Sequence, residues 1–212
     1  MKLGHQKFWI AVLFAAAVVA GLSACAPVMI GGAVMGGLVA TDRRTSGAQL
    51  EDETIELHSA SLIRDNLGDR VHVNVASYNR QALLTGEVPN AQDKQLVEKI
   101  VSRVDGVRAI VNELVIAPAS SLTQRSSDAL ITGKIKAAMV DAKDLYANAF
   151  KVVTERGTTY LMGRVTQREA DRGTDIARST SSVRKVVRVF EILTEEELQR
   201  MLPQPSPAAT KK

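Results

Sequence analysis

Leu83-Leu84-Thr85-Gly86-Glu87-Val88 recurs 77 positions downstream as Tyr160-Leu161-Met162-Gly163-Arg164-Val165. Val107-Arg108-Ala109-Ile110-Val111 recurs 76 positions downstream as Val183-Arg184-Lys185-Val186-Val187. One single-residue gap reconciles the two offsets, so the chain repeats one structural unit. Around the first copy, Ile55, Ser59, Leu62 and Ile63 have helical spacing and predict a helix over 54–67, stopped by Gly68. Val71, Val73 and Val75 alternate with His72 and Asn74, the period of a strand. Asn79-Arg80 is the expected turn, and 82–88 the returning strand. Pro89-Asn90 opens a second helix with Leu96, Ile100 and Val104 facing inward; Asp105-Gly106 closes it, and 107–116 is the last strand.

Around the second copy the order is the same. Ser127 or Asp128 caps a helix carrying Ile131, Ile135 and Met139. Residues 150–154 are a strand, and Glu155-Arg156-Gly157 is a hairpin turn, because Gly tolerates positive φ. Residues 158–165 return, Thr166 caps a helix bearing Ala170, Ile176 and Ala177, and 183–193 is the final strand. The fold class read from this pattern is α+β: two tandem small α-β-β-α-β domains, each a three-stranded sheet with two helices on one face. The expected boundaries are 46–116 and 124–193, with a linker at 117–123. Beyond them, 194–212 holds a short helix over 195–202 and a Pro- and Ala-rich tail of disordered composition.

The residues before the repeats carry a different signal. Lys2 and Lys7 precede an uncharged apolar run from Phe8 to Leu22, followed by Ser23, Ala24 and Cys25. Basic, apolar and small-residue segments in that order are a secretory signal, over 1–24. Cys25 is the only cysteine of the 212 residues, so a disulfide within the chain is excluded. Leu22-Ser23-Ala24-Cys25 resembles the lipobox of bacterial lipoproteins, which implies that Cys25 is acylated after cleavage. Ala26 stands where such lipoproteins carry an inner-membrane retention Asp, which implies the outer membrane, on its periplasmic face. Residues 28–40, apolar and Gly-rich, are too short to span a bilayer and read as a tether over 25–45.

The whole mature pattern resembles the dual BON-domain outer-membrane lipoproteins linked to division sites and envelope stress. Gly86 and Gly163 match that family's second-strand glycine, and Asp105-Gly106-Val107 with Val111-Asn112 match its last-strand motif. The second copy departs from the motif, with Ser181-Ser182-Val183 for Asp-Gly-Val and Arg188 where the first has Asn112. Thr41-Asp42-Arg43-Arg44 leading to Gln49-Leu50-Glu51-Asp52 also fits the family. The resemblance implies a non-catalytic protein that binds phospholipid and helps keep the envelope intact.

Net charge is +4 and aromatics are 4%, which points to cores of Val, Ile, Leu and Ala and gives no argument for nucleic acid. The distribution of charge says more. Residues 46–115 hold 7 basic and 11 acidic side chains, a balance of −4; residues 124–192 hold 13 and 8, a balance of +5. A basic module is drawn to anionic headgroups, so the second repeat is the expected membrane-facing one. Its candidate residues are Leu130, lying off the Ile131/Ile135/Met139 stripe, with Lys134 and Lys136, and Arg168 and Arg172 on the other helix. The acidic repeat is left two roles: binding a protein partner or docking on its basic sibling. His58 and His72 are the only histidines after the signal, and no metal-ligand spacing, nucleophile elbow or phosphate loop occurs. No catalytic residue, metal, cofactor or small-molecule substrate is therefore expected. The runner-up to a lipid-binding module is a membrane-tethered adaptor for an outer-membrane assembly or cell-wall factor.

Overall fold

The computed structural model describes residues 42–201; the signal, Cys25, nearly all of the tether and the tail lie outside them. Helix α1 (Ser46–Leu67) begins eight residues before the expected start, because Thr45 accepts from the Ala48 N–H and caps it there. It buries Asp52, Ile55, Ser59, Ile63 and Leu67, while Leu62, expected inward, is 40% exposed. Strand β1 (His72–Tyr78) turns through Asn79 and Arg80, both at positive φ, into the antiparallel β2 (Gln81–Val88). Helix α2 (Ala91–Val101) is capped by Asn90 and buries Val97 and Val101; Val104 is buried just past its end. Leu96, expected to face the core, does not: the inward row runs Asp93, Val97, Val101, which turns Leu96 toward solvent.

The last strand of the first repeat, expected to be continuous, is broken into β3 (Ala109–Asn112) and β4 (Val115–Ile116), both parallel to β2. Asn112 makes the break. Its Oδ1 accepts from the Leu114 N–H at 3.2 Å, its Nδ2 donates to Glu98 at 2.8 Å, and Leu114 drops into the core. Arg188 holds the matching position in the second repeat and reaches Asp171 instead, so β7 (Lys185–Leu193) runs unbroken.

Helix α3 (Leu122–Asp141) is capped by Ser121, not by Ser127 or Asp128 as expected; Asp128 lies inside it and is buried. After α3 come β5 (Phe150–Glu155), β6 (Thr158–Thr166), α4 (Gln167–Ser179), β7 and α5 (Glu195–Met201). Thr166 caps α4 as expected, in a reciprocal box with Glu169.

Each repeat has its own core between sheet and helices, built on Ile55, Leu84 and Val97 in one and on Ile135, Leu161 and Ala177 in the other. A third core lies between the two sheets, where Ala76, Tyr78 and Leu83 meet Tyr160, Met162 and Val189. Leu83 and Leu84 therefore point to opposite faces, and both are fully buried. The unbroken apolar runs Leu83-Leu84 and Tyr160-Leu161-Met162 follow from strands covered on both sides. The order of layers is helices, sheet, sheet, helices. The acidic repeat thus docks on its basic sibling, and polar pairs rim the apolar contact. Lys151 pairs with Glu56, Arg156 with Glu87 at 3.1 Å, Asn74 donates to Glu155 at 2.7 Å, and Asn79 to Glu191 at 2.7 Å.

Candidate functional site

The docking of the sheets leaves the α3–α4 layer as the free basic face of the second repeat. On α3, Asp128, Ile131, Ile135 and Met139 face the core. At 100° per residue, Leu122, Ser126, Ala129, Leu130, Gly133, Ala137 and Val140 form the opposite face. All of them are exposed, Leu122, Leu130 and Val140 by 79, 68 and 71%. Asp141, also exposed, closes that face at the helix end and is its one charge, as Asp128 is that of the inward face. Lys134 and Lys136, both exposed, flank that outward strip on either side. Lys136 also borders a groove of about 470 Å³ with Asp42, Gln49, Met139 and Phe150. The matching positions on α1 read Ser46, Leu50, Glu53, Thr54, Leu57, Ser61 and Arg64, a face that includes charge. Arg168 and Arg172 sit on the outer side of α4, one turn apart. They are drawn to Asp144: Arg168 donates to its carbonyl at 3.2 Å, and Arg172 pairs with its carboxylate at 2.9 Å. Of the five candidates, the structure thus brings Leu130, Lys134 and Lys136 onto one helix surface and ties the two arginines to a shared acidic residue.

Sequence reasoning assigned no partners to two charged constellations. The first is built on Arg43 and Arg44. Arg43 forms a bidentate pair with Glu169, 2.7 Å for each bond, and also donates to the Arg164 carbonyl at 2.9 Å. Side-chain exposure in that pair is 5% and 1%. Arg44 pairs with Asp42 and Asp52 and lies 4.4 Å over the ring of Tyr78. Burial pushes the Glu169 carboxyl up, but the Arg43 guanidinium and the Thr166 N–H outweigh it and hold it below its ordinary value. Asp52 is likewise held low: burial opposes, and the Ser77 hydroxyl, the Arg80 and Asn79 N–H groups and Arg44 prevail. Two adjacent arginines thus fasten the segment ahead of α1 to both repeats. Asp52 and Asp128 are equivalents, each accepting both N–H groups of its own repeat's hairpin turn. Their 76-residue offset was available in the sequence; their partners were not.

The second constellation lies where the repeats meet. His72 and Glu87 face each other across β1 and β2, with His72 Nδ1 2.8 Å from Glu87 Oε2. Glu155, at the end of β5, completes the one group of three such side chains among the described residues whose ligating atoms all lie within 4.8 Å of one another. Burial raises the Glu155 carboxyl above its ordinary value; Asn74 offsets this in part, and Glu87 and Asp128 add to it. Glu87 is held low despite burial, by the Ser120 N–H, His72 and Arg156. Separations of 15 and 68 residues hid this group from any search for ligand spacing.

Among the described residues no helix is long and apolar enough to cross a membrane. The BON domain family matches residues 51–118 and again 127–194, well over half of the chain. The outer membrane lipoprotein DolP of Haemophilus influenzae is 37% identical over 174 residues, 81% of this chain and 90% of that protein. The 21 kDa hemolysin of Actinobacillus pleuropneumoniae is 31% identical over 151 residues, 70% of this chain and 78% of that protein. The C-terminal domain of CdsD, a structural protein of the type III secretion system of Chlamydia trachomatis, aligns at 12% identity and a TM-score of 0.28. The alignment takes in 67% of this chain and 96% of that one. Two copies of the domain, and a lipoprotein relative matched over nearly its whole length, place the chain in the BON-domain family, as a non-catalytic lipoprotein of the outer membrane.

Proposed function

We propose that the outward face of α3 docks on anionic phospholipid at the periplasmic side of the outer membrane, while acylated Cys25 holds the chain there. Its part in the cell is to help keep the envelope intact, including at division sites. A phospholipid membrane is the partner that the family likeness supports. The observation that carries the reading is the second apolar face of α3. It puts Leu122, Leu130 and Val140 in solvent, with Lys134 and Lys136 to either side. Exposed apolar strips rimmed by cations mark interaction surfaces. Each lysine near an anionic surface contributes about 1 kcal/mol, and each large aliphatic side chain fully withdrawn from water about 1.5–3 kcal/mol. A face of this size gives reversible attachment. The lipid anchor therefore supplies residence and α3 supplies orientation. Arg168 and Arg172 extend the basic surface, weakened by their shared Asp144.

The test is co-sedimentation of residues 41–202 with anionic and neutral vesicles at low and high salt. Starting at 41 keeps Arg43 and Arg44, which belong to the folded body. Binding to anionic vesicles that salt reverses is expected. Leu130→Glu with Lys134→Glu should reduce it at least tenfold; unchanged binding would refute the reading. The adaptor reading keeps one observation of its own: Leu50 and Leu57 are 65 and 71% exposed, two turns apart on α1. It predicts no vesicle binding and a protein crosslinked through α1.

A further inference from the structure

The geometry points to a divalent metal site of the zinc class, formed by His72 and Glu87 of the first repeat and Glu155 of the second, and joining the two. The donor set is one imidazole nitrogen and two carboxylate oxygens, a combination that suits Zn²⁺ among the biological divalent ions. The donor atoms already lie within 4.8 Å of one another. Metal–ligand bonds of about 2.0–2.2 Å would draw them closer by small side-chain rotations. Three protein ligands leave a fourth position for water.

Charge supplies an independent reason. Glu87 and Glu155 are 1% and 7% exposed. The Arg156 guanidinium pairs with Glu87. Glu155 accepts one hydrogen bond, from the neutral Asn74 amide, at Oε2; Oε1 receives none among the described residues. Asp128, a further buried carboxylate, acts on it electrostatically. Among the described residues the Glu155 carboxylate has no cationic side chain paired with it, and a dication at its open Oε1 supplies one. Arg156 is no obstacle, since its side chain is 44% exposed and can leave Glu87 for solvent. Outer contacts that orient metal ligands are also in place. The Ser120 N–H donates to Glu87 at 3.1 Å and Asn74 donates to Glu155. The cluster has no counterpart elsewhere in the repeat, since Ala149 follows His72 by 77 positions and Asn79 precedes Glu155 by 76. It exists only because the two sheets face each other, so an ion there clasps the repeats together and stabilises the docked form by mass action.

The experiment uses the full mature lipoprotein in detergent, stripped with a chelator and titrated with Zn²⁺ or Co²⁺ alone. Saturable binding of one equivalent is expected, with a raised melting temperature and the visible bands of tetrahedral Co²⁺. In NMR, the His72 ring resonances should move while those of His58 stay. His72→Gln and Glu155→Gln should each weaken binding at least tenfold, and His58→Gln should not. Absence of saturable binding overturns the proposal, as does a ring shift at His58 in place of His72, which is read on the unaltered chain and needs no variant to fold.

Discussion

Ser59 and Arg43 show how much one side chain decides. Ser59 lies fully buried on the inward face of α1, and its hydroxyl has no partner; the same place in the second repeat is Ile135. A buried unpaired hydroxyl costs about 1–3 kcal/mol, so Ser59→Ala is expected to raise stability by about 1 kcal/mol in denaturant unfolding. Arg43 is the opposite case. Removing it strands Glu169, which is 1% exposed in its side chain, beneath the α4 cap. Arg43→Met should cost about 3–5 kcal/mol by the same measurement, and Glu169→Gln in addition should restore part of the loss. Arg43 and Arg44 were noticed in the sequence as part of a family pattern. Their partners lie up to 126 residues away, and no local rule reaches that far.

At the scale of elements, the glycines of β2 and β6 are explained by what lies against them. A Cβ on Gly86, which also sits at φ 110, would collide with the carbonyl of His72; one on Gly163 would meet the carbonyl of Ala149. In both repeats the close backbone is the start of the paired neighbouring strand, His72 against Gly86 and Ala149 against Gly163. Gly163→Ala, free of any backbone-angle penalty, should cost about 1–3 kcal/mol through overpacking alone, and Gly86→Ala more, because its φ also disfavours a side chain. Thermal unfolding of the two variants separates the effects. Element order was legible in the sequence because period and turn chemistry agree there. Element ends were less so: Thr45 and Ser121 start α1 and α3 earlier than the apolar spacing does, since a cap acts through a hydrogen bond and not through periodicity.

For the whole molecule, acid should act where the segment before α1 joins the body. Asp52 and Glu169 both titrate below their ordinary values when folded. The folded chain then holds fewer protons on them than the unfolded one. Their stabilisation is complete above about pH 5 and is lost as pH falls through the ordinary carboxylate range toward the depressed folded values. Unfolding followed from pH 7 downward should show this loss, and Asp52→Asn with Glu169→Gln should flatten it. The repeat, the α+β class, the lipobox-like segment and the opposite charge of the two copies were all determined by sequence alone, because each is written in nearest neighbours, short periods or simple counts. The tertiary structure decided what those features are used for. Leu83 and Tyr160 look like any strand residues until two sheets close over them. His72, Glu87 and Glu155 become one cluster only through that closure, and the charge-poor outer face of α3 has meaning only once its other face is known to be buried. Contacts between distant segments depend on how whole surfaces fit, and a linear pattern records surfaces one at a time.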